Sequence, residues 1–147
     1  GEGVLSASFI PVYARLLANG EREEAQRVAG AVFGLLAATV AALVAAGVLA
    51  TPRFVDLIAD GFSGAKRQLT VDAVRILFPG TGLLVLSAWC LGVLNSHRRF
   101  FLSYAAPVAW NLAIIAGAVY GAWRGASQAG LVETIAWWTV AGCALQF

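Results

Sequence analysis

The sequence has no methionine, one histidine, two cysteines and little charge, with ten Lys and Arg and eight Asp and Glu among 147 residues. Soluble domains carry about twice that charged fraction. A fold of this length that met water on every side would need a charged shell, and these side chains are too few to make one. With a net charge of only +2, the pI near 8.8 does not point to a nucleic-acid partner, which would call for a clustered basic face. His97 alone cannot build a metal centre, and Cys90 and Cys143 lie in apolar runs with no spacing that makes a ligand pair or redox motif. No disulfide is expected. Gly61-Phe62-Ser63-Gly64 does not meet the nucleophile-elbow pattern, and no glycine-rich phosphate loop with its lysine is present. Neither a catalytic set nor a metal site nor a cofactor is therefore expected. The start at Gly1 and the apolar run reaching Phe147 read as an internal piece of a longer chain.

What the sequence does have is hydrophobicity: 60% of residues are apolar and the mean hydropathy is +0.78. Crossing about 30 Å of hydrocarbon takes roughly 20 apolar residues at about 1.5 Å each. Three uncharged stretches meet that length, at 28–51, 76–97 and 100–123. Two further runs, about 3–18 and 131–147, read as spans cut by the ends; the second carries Glu133. A signal peptide would offer one shorter run behind a basic start, so repetition excludes it. The expected fold is all-α, a polytopic transmembrane helix bundle whose helices satisfy their own backbone in lipid.

The connections set the order of the helices. Asn19-Gly20 followed by Glu21-Arg22-Glu23-Glu24 reads as a stop, a turn and an acidic first turn. Thr51-Pro52 is expected to end the second helix, since a residue before proline is pushed out of helical geometry. Between 53 and 75, Phe54, Val55, Leu57 and Ile58 mix with Asp56, Asp60, Lys66, Arg67 and Asp72, the pattern of a short amphipathic helix at the interface. The segment 95–99 is so short that its flanking helices must be antiparallel neighbours. Alternation puts Arg15, Arg22, Arg27, Arg98 and Arg99 on one side and Arg53, Lys66, Arg67 and Arg124 on the other, a weak bias. Aromatics fall at span ends, with Phe100 and Phe101 opening one helix and Tyr120 and Trp123 closing it; Trp137 and Trp138 sit deeper, as if facing a neighbour.

Polar residues inside spans usually face a bundle interior or a watered cavity. Here they are Glu2, Ser6, Thr39, Arg75, Thr81, Ser87, Asn95, Ser103, Asn111 and Glu133. Serine and threonine can bond to their own helix. Asn111 does so less easily, which predicts a bond across helices or to a ligand. Arg75 either snorkels to the interface or contacts a ligand. Pro79 and Pro107 each remove a backbone donor, which either frees a carbonyl toward a cavity or only shapes packing. The glycine pairs Gly30/Gly34 and Gly117/Gly121 are spaced for close helix approach.

The order of residues is also familiar. Glu2-Gly3-Val4-Leu5-Ser6-Ala7-Ser8-Phe9-Ile10-Pro11-Val12 resembles the EGxxSxxFxPV signature of the MurJ (MviN) family of lipid II flippases. Arg75-Ile76-Leu77-Phe78-Pro79 is similar to that family's basic-x-x-Phe-Pro helix entry, and Gly92-Val93-Leu94-Asn95, Arg99-Phe100, Ala106-Pro107 and Asn111 resemble its next hairpin. His97-Arg98 departs from the aromatic and polar residues common there. The likeness runs through the whole chain in order. It implies the MATE-like fold of about fourteen helices, with this chain as a single partial membrane domain, the end of helix 2 through most of helix 6 in the N-terminal lobe. It further implies a place in the bacterial cytoplasmic membrane, with the loops holding Arg22 and Arg99 cytoplasmic. The implied substrate is a lipid-linked diphosphate sugar-peptide, with membrane lipids and helices 1 and 7–14 of the same polypeptide as the other partners. Glu2 and Ser6 become the leading substrate-site residues, ahead of Asn111 and Arg75, while Pro11, Pro79 and Pro107 shape their helices. The family's cavity arginines lie outside this sequence. Alternatives are a flippase for another lipid-linked oligosaccharide, a MATE-like drug exporter, or a membrane scaffold for cell-wall enzymes.

Overall fold

A computed structural model describes the backbone of residues 2–97 and 100–147, and the side chains of 8–95, 97, 101 and 105–147. These residues form five helices and no strand: α1 (Glu2–Ala18), α2 (Arg22–Ile58), α3 (Gly64–Ser96), α4 (Phe100–Trp123) and α5 (Gln128–Leu145). Three stretches, Arg22–Ile58, Gly64–Asn95 and Ala105–Trp123, are long and apolar enough to cross a membrane. The expected helix bundle is what forms.

Short polar turns reverse the chain. After α1, Gly20 takes a left-handed φ of 81°, which a side chain would resist. Its amide and that of Glu21 then cap the carbonyls of Leu17 and Leu16 at 3.1 and 3.0 Å, while Asn19 Nδ2 donates to Glu21 Oε1 at 3.2 Å. After α4, Gly125 turns the same way at φ 63°, and Ser127 caps α5 by accepting from the Gly130 amide at 3.3 Å.

Two expectations fail around Pro52. The second helix does not stop at Thr51 but runs through the proline to Ile58. Proline removes the amide that would bond to Val48, yet lipid-embedded helices keep such residues when other groups hold the backbone. Here Thr51 is fully buried and its hydroxyl donates to the Gly47 carbonyl at 2.7 Å. Gly47 in turn lies flat against the Phe78 ring of α3, where any side chain would collide. Packing therefore carries the helix across the break.

Nor does 53–75 form a separate interfacial helix. Its two halves extend α2 and α3, with the turn confined to 59–63. At about 55 and 50 Å, these helices are much longer than the hydrocarbon is thick. The charged stretch therefore becomes two arms of a hairpin standing beyond it. Arg67 fastens the arms with a two-pronged bond to Asp56, 2.5 Å from Nε to Oδ1 and 2.8 Å from Nη2 to Oδ2. Val55 and Val71 are buried in the same hairpin. Lys66 Nζ sits 3.9 Å from the centre of the Phe62 ring at the turn.

The Arg67 guanidinium holds the Asp56 carboxyl below its ordinary value of 3.8, chiefly through the hydrogen bonds. A depressed carboxylate stabilises the fold above its unfolded pKa, and that contribution fades as pH falls through the lower folded value. Arg67→Gln is expected to return the Asp56 pKa to the ordinary range, as read by carboxyl carbon-13 titration. Both groups are open to water, so the change in overall stability is expected to be slight.

Close packing uses small residues, but not all those expected. α4 packs most extensively on α5, α3 lies between α2 and α5, and α1 touches α2 and α3. Gly117 faces Trp138 of α5, Gly121 faces Leu131, and Gly142 of α5 faces Trp110 and Ala113 of α4. Gly80 meets Val140 and Cys143 of α5, while Gly82 meets Val40 and Val44 of α2. Gly30 and Gly34, by contrast, are exposed with nothing within 4 Å, so that pair makes no close approach here. Trp138 packs against Tyr120 as expected, with ring centres 6.2 Å apart, whereas Trp137 remains largely exposed.

Candidate functional site

An aromatic cluster pins α1 to the rest of the bundle. Phe9 stacks on Tyr13 at 5.3 Å between ring centres and meets Trp89 of α3 at 5.9 Å; Trp89 continues to Phe33 of α2 at 5.0 Å. The buried core here is Phe9, Tyr13, Ala25 and Ala29. Tyr13 Oη lies 3.1 Å from His97 Nε2, and the rings meet edge to face at 5.8 Å. The sequence offered His97 only as a loop residue, because nothing in its spacing points to a partner 84 positions away. This contact shows that α1 and α3 end at the same surface of the bundle.

From that surface, helical rise sets the depth of each candidate. Counting back from Ala18, Ser6 lies about 18 Å in and Glu2 about 24 Å. Counting forward from the α3–α4 turn, Asn111 lies about 17 Å in, level with Ser6, whereas Arg75 lies about 32 Å away, near the opposite surface. The side chains of Glu2, Ser6 and Ser103 lie outside the described residues. Glu2 and Ser6 are four apart on α1, which puts them on one face. Depth therefore groups Ser6 and Asn111, with Glu2 a turn deeper, and sets Arg75 apart.

Asn111 does not bond across helices. Its Nδ2 donates to the Pro107 carbonyl of its own helix at 2.8 Å, and the residue is exposed on α4. The amide side chain reaches back one turn just as hydroxyls do. Thr39, Thr81, Thr134 and Thr139 bond the carbonyls of Leu35, Leu77, Gly130 and Ile135 in the same way. Arg75 is exposed with no ion-pair partner among the described residues, and Pro79, also exposed, withholds the amide that the Arg75 carbonyl would accept. Ser87 is buried, and its hydroxyl has no partner among the described residues. Cys90 and Cys143 are both free.

Long apolar helices joined by polar turns, with hydrophilic side chains scattered at several depths, define a multi-pass helical membrane protein. A family model described as lipid II flippase MurJ matches residues 1–147. The chain is 32% identical over 148 residues to the probable lipid II flippase MurJ of Rhizobium meliloti, covering 99% of this chain and 28% of that protein. It is 31% identical over 148 residues to the lipid II flippase MurJ of Burkholderia cenocepacia, with the same coverage. The probable lipid II flippase MurJ of Rhizobium tropici is 30% identical over the same length, again covering 99% and 28%. No solved structure matches. This chain belongs to the MurJ lipid II flippase family, and it spans little more than a quarter of the length of these relatives.

Proposed function

We propose that the protein carrying this chain moves lipid II across the bacterial cytoplasmic membrane by alternating access, and that residues 1–147 supply the end of helix 2 through most of helix 6 of its N-terminal lobe. The observation that carries this reading is the family match along all 147 residues. The task is electrostatic: a diphosphate entering bare hydrocarbon faces a desolvation cost of many kcal/mol. A wet cavity between two lobes removes that cost while the polyprenyl tail stays in lipid. In this reading α1 lines the cavity, with Glu2 and Ser6 facing the headgroup and Asn111 at the level of Ser6. Arg75 lies nearer the opposite surface, where its guanidinium can meet phosphate as substrate leaves or snorkel to the interface. Pro11, Pro79 and Pro107 shape the helices that carry them. The partners are the lipid-linked substrate, membrane lipids and the remainder of the polypeptide; transport, not catalysis, is the activity.

Depleting the full-length protein is expected to lower the exposure of lipid II headgroups on the outer leaflet, and unchanged exposure would overturn the flippase reading. In growth complementation at native expression, Glu2→Ala in the full-length protein is expected to fail or grow poorly. Full rescue would remove Glu2 from the substrate site.

A further inference from the structure

A second polar feature lies at the opposite end of the bundle from His97, where α4 turns into α5. Tyr120, Arg124, Gly130, Glu133, Thr134 and Trp137 line an open groove of about 440 Å³ there. The groove follows from register: Gly130, Glu133, Thr134 and Trp137 repeat at helical spacing along one face of α5, and Tyr120 and Arg124 lie one turn apart at the end of α4. Arg124 Nη1 donates to Tyr120 Oη at 3.0 Å, and the guanidinium folds back to 5.6 Å from the centre of that ring. Most of its donors remain unspent. Glu133 is exposed and has no hydrogen bond or ion pair among the described residues. Trp137, in the groove lining, is 58% exposed, and Trp123 at the end of α4 is 82% exposed, as aromatics of a membrane interface are.

We infer that this groove binds a phospholipid whose headgroup carries both a phosphodiester and a primary ammonium. Charge complementarity selects the ligand. The Arg124 fork matches phosphate oxygens, and the Glu133 carboxylate accepts from an ammonium. Tyr120 and Trp137 supply ring surface to the glycerol and the cation. A headgroup of net negative charge satisfies Arg124 but meets repulsion from Glu133. A quaternary ammonium satisfies the charge of Glu133 but donates no hydrogen bond to it. The inference rests on the membrane-spanning fold alone and not on lipid II transport.

The test uses the full-length protein, purified in detergent and mixed with equal amounts of phosphatidylethanolamine, phosphatidylglycerol and phosphatidylcholine of matched chains, with bound lipid counted by native mass spectrometry. At an exposed site, the extra charge-assisted bond is expected to favour phosphatidylethanolamine about threefold over either competitor. Glu133→Gln is expected to abolish the preference over phosphatidylglycerol, and Arg124→Gln to lower retention of both phosphatidylethanolamine and phosphatidylglycerol. Equal retention of the three lipids by the unmodified protein overturns the inference without any variant. A wild-type profile in both variants overturns it as well, because the preference then lies elsewhere. Equal retention of the three lipids by an unmodified protein that still flips lipid II counts against this groove alone.

Discussion

Replacing Gly142 by valine is expected to cost the full-length protein about 3 kcal/mol of stability, the upper part of the range for overpacking a tight interface. A Cβ at this position of α5 would stand 2.8 Å from Trp110 Cδ1, 2.9 Å from Ala113 Cβ and 3.1 Å from the Trp110 carbonyl oxygen. The indole could swing aside, but the carbonyl belongs to the α4 backbone and moves only if the helices separate. Gly117 and Gly121 bring α4 at least as close to Trp138 and Leu131. Separation at Gly142 would therefore loosen contacts along much of the pair. Thermal unfolding in detergent reads the loss. Gly30→Ala provides the contrast, since nothing lies within 4 Å of that Cβ and alanine favours helix by up to about 1 kcal/mol. Equal destabilisation by the two changes would show that glycine acts here through chain flexibility and not through close approach.

Truncating Phe9 to alanine is expected to have a comparable effect, about 3 kcal/mol in the same assay. The ring is 8% exposed and joins α1 to α3 by touching both Tyr13 and Trp89. Its removal leaves a void beside two other rings that cannot collapse into it without pulling Trp89 away from Phe33. Tyr13→Phe should cost only about 1 kcal/mol, because it keeps the stack and loses one hydrogen bond to His97. If Tyr13→Phe proves the more damaging, α1 is held by the polar contact and not by the rings.

The sequence made the spans and the first tight turn legible because length, hydropathy and the turn residues Asn19 and Gly20 act locally. It misled at Pro52, where a rule about one residue and its neighbour lost to the seating of Gly47 against Phe78, a contact with another helix. The charges between 53 and 75 mark the stretch least suited to hydrocarbon. They could not show that α2 and α3 continue past it, since a helix arm in water and an interfacial helix share one pattern. Gly30/Gly34 and Gly117/Gly121 have identical spacing, and only the partner helix separates packed from unpacked. The family signature around Glu2 and Ser6 was readable as a string of residues. The bond from Asn111 to its own helix needed three dimensions, as did the meeting of Arg124 and Glu133 in one groove.

The protruding hairpin of α2 and α3, clipped by Arg67 and Asp56, has a mechanical consequence. Whatever tilts these two rods within the bilayer must swing their joined tip through a wider arc than any point embedded in lipid. A spin label at Asp60 would therefore act as the far end of a lever, reporting small rotations of the lobe as large, readily measured distance changes.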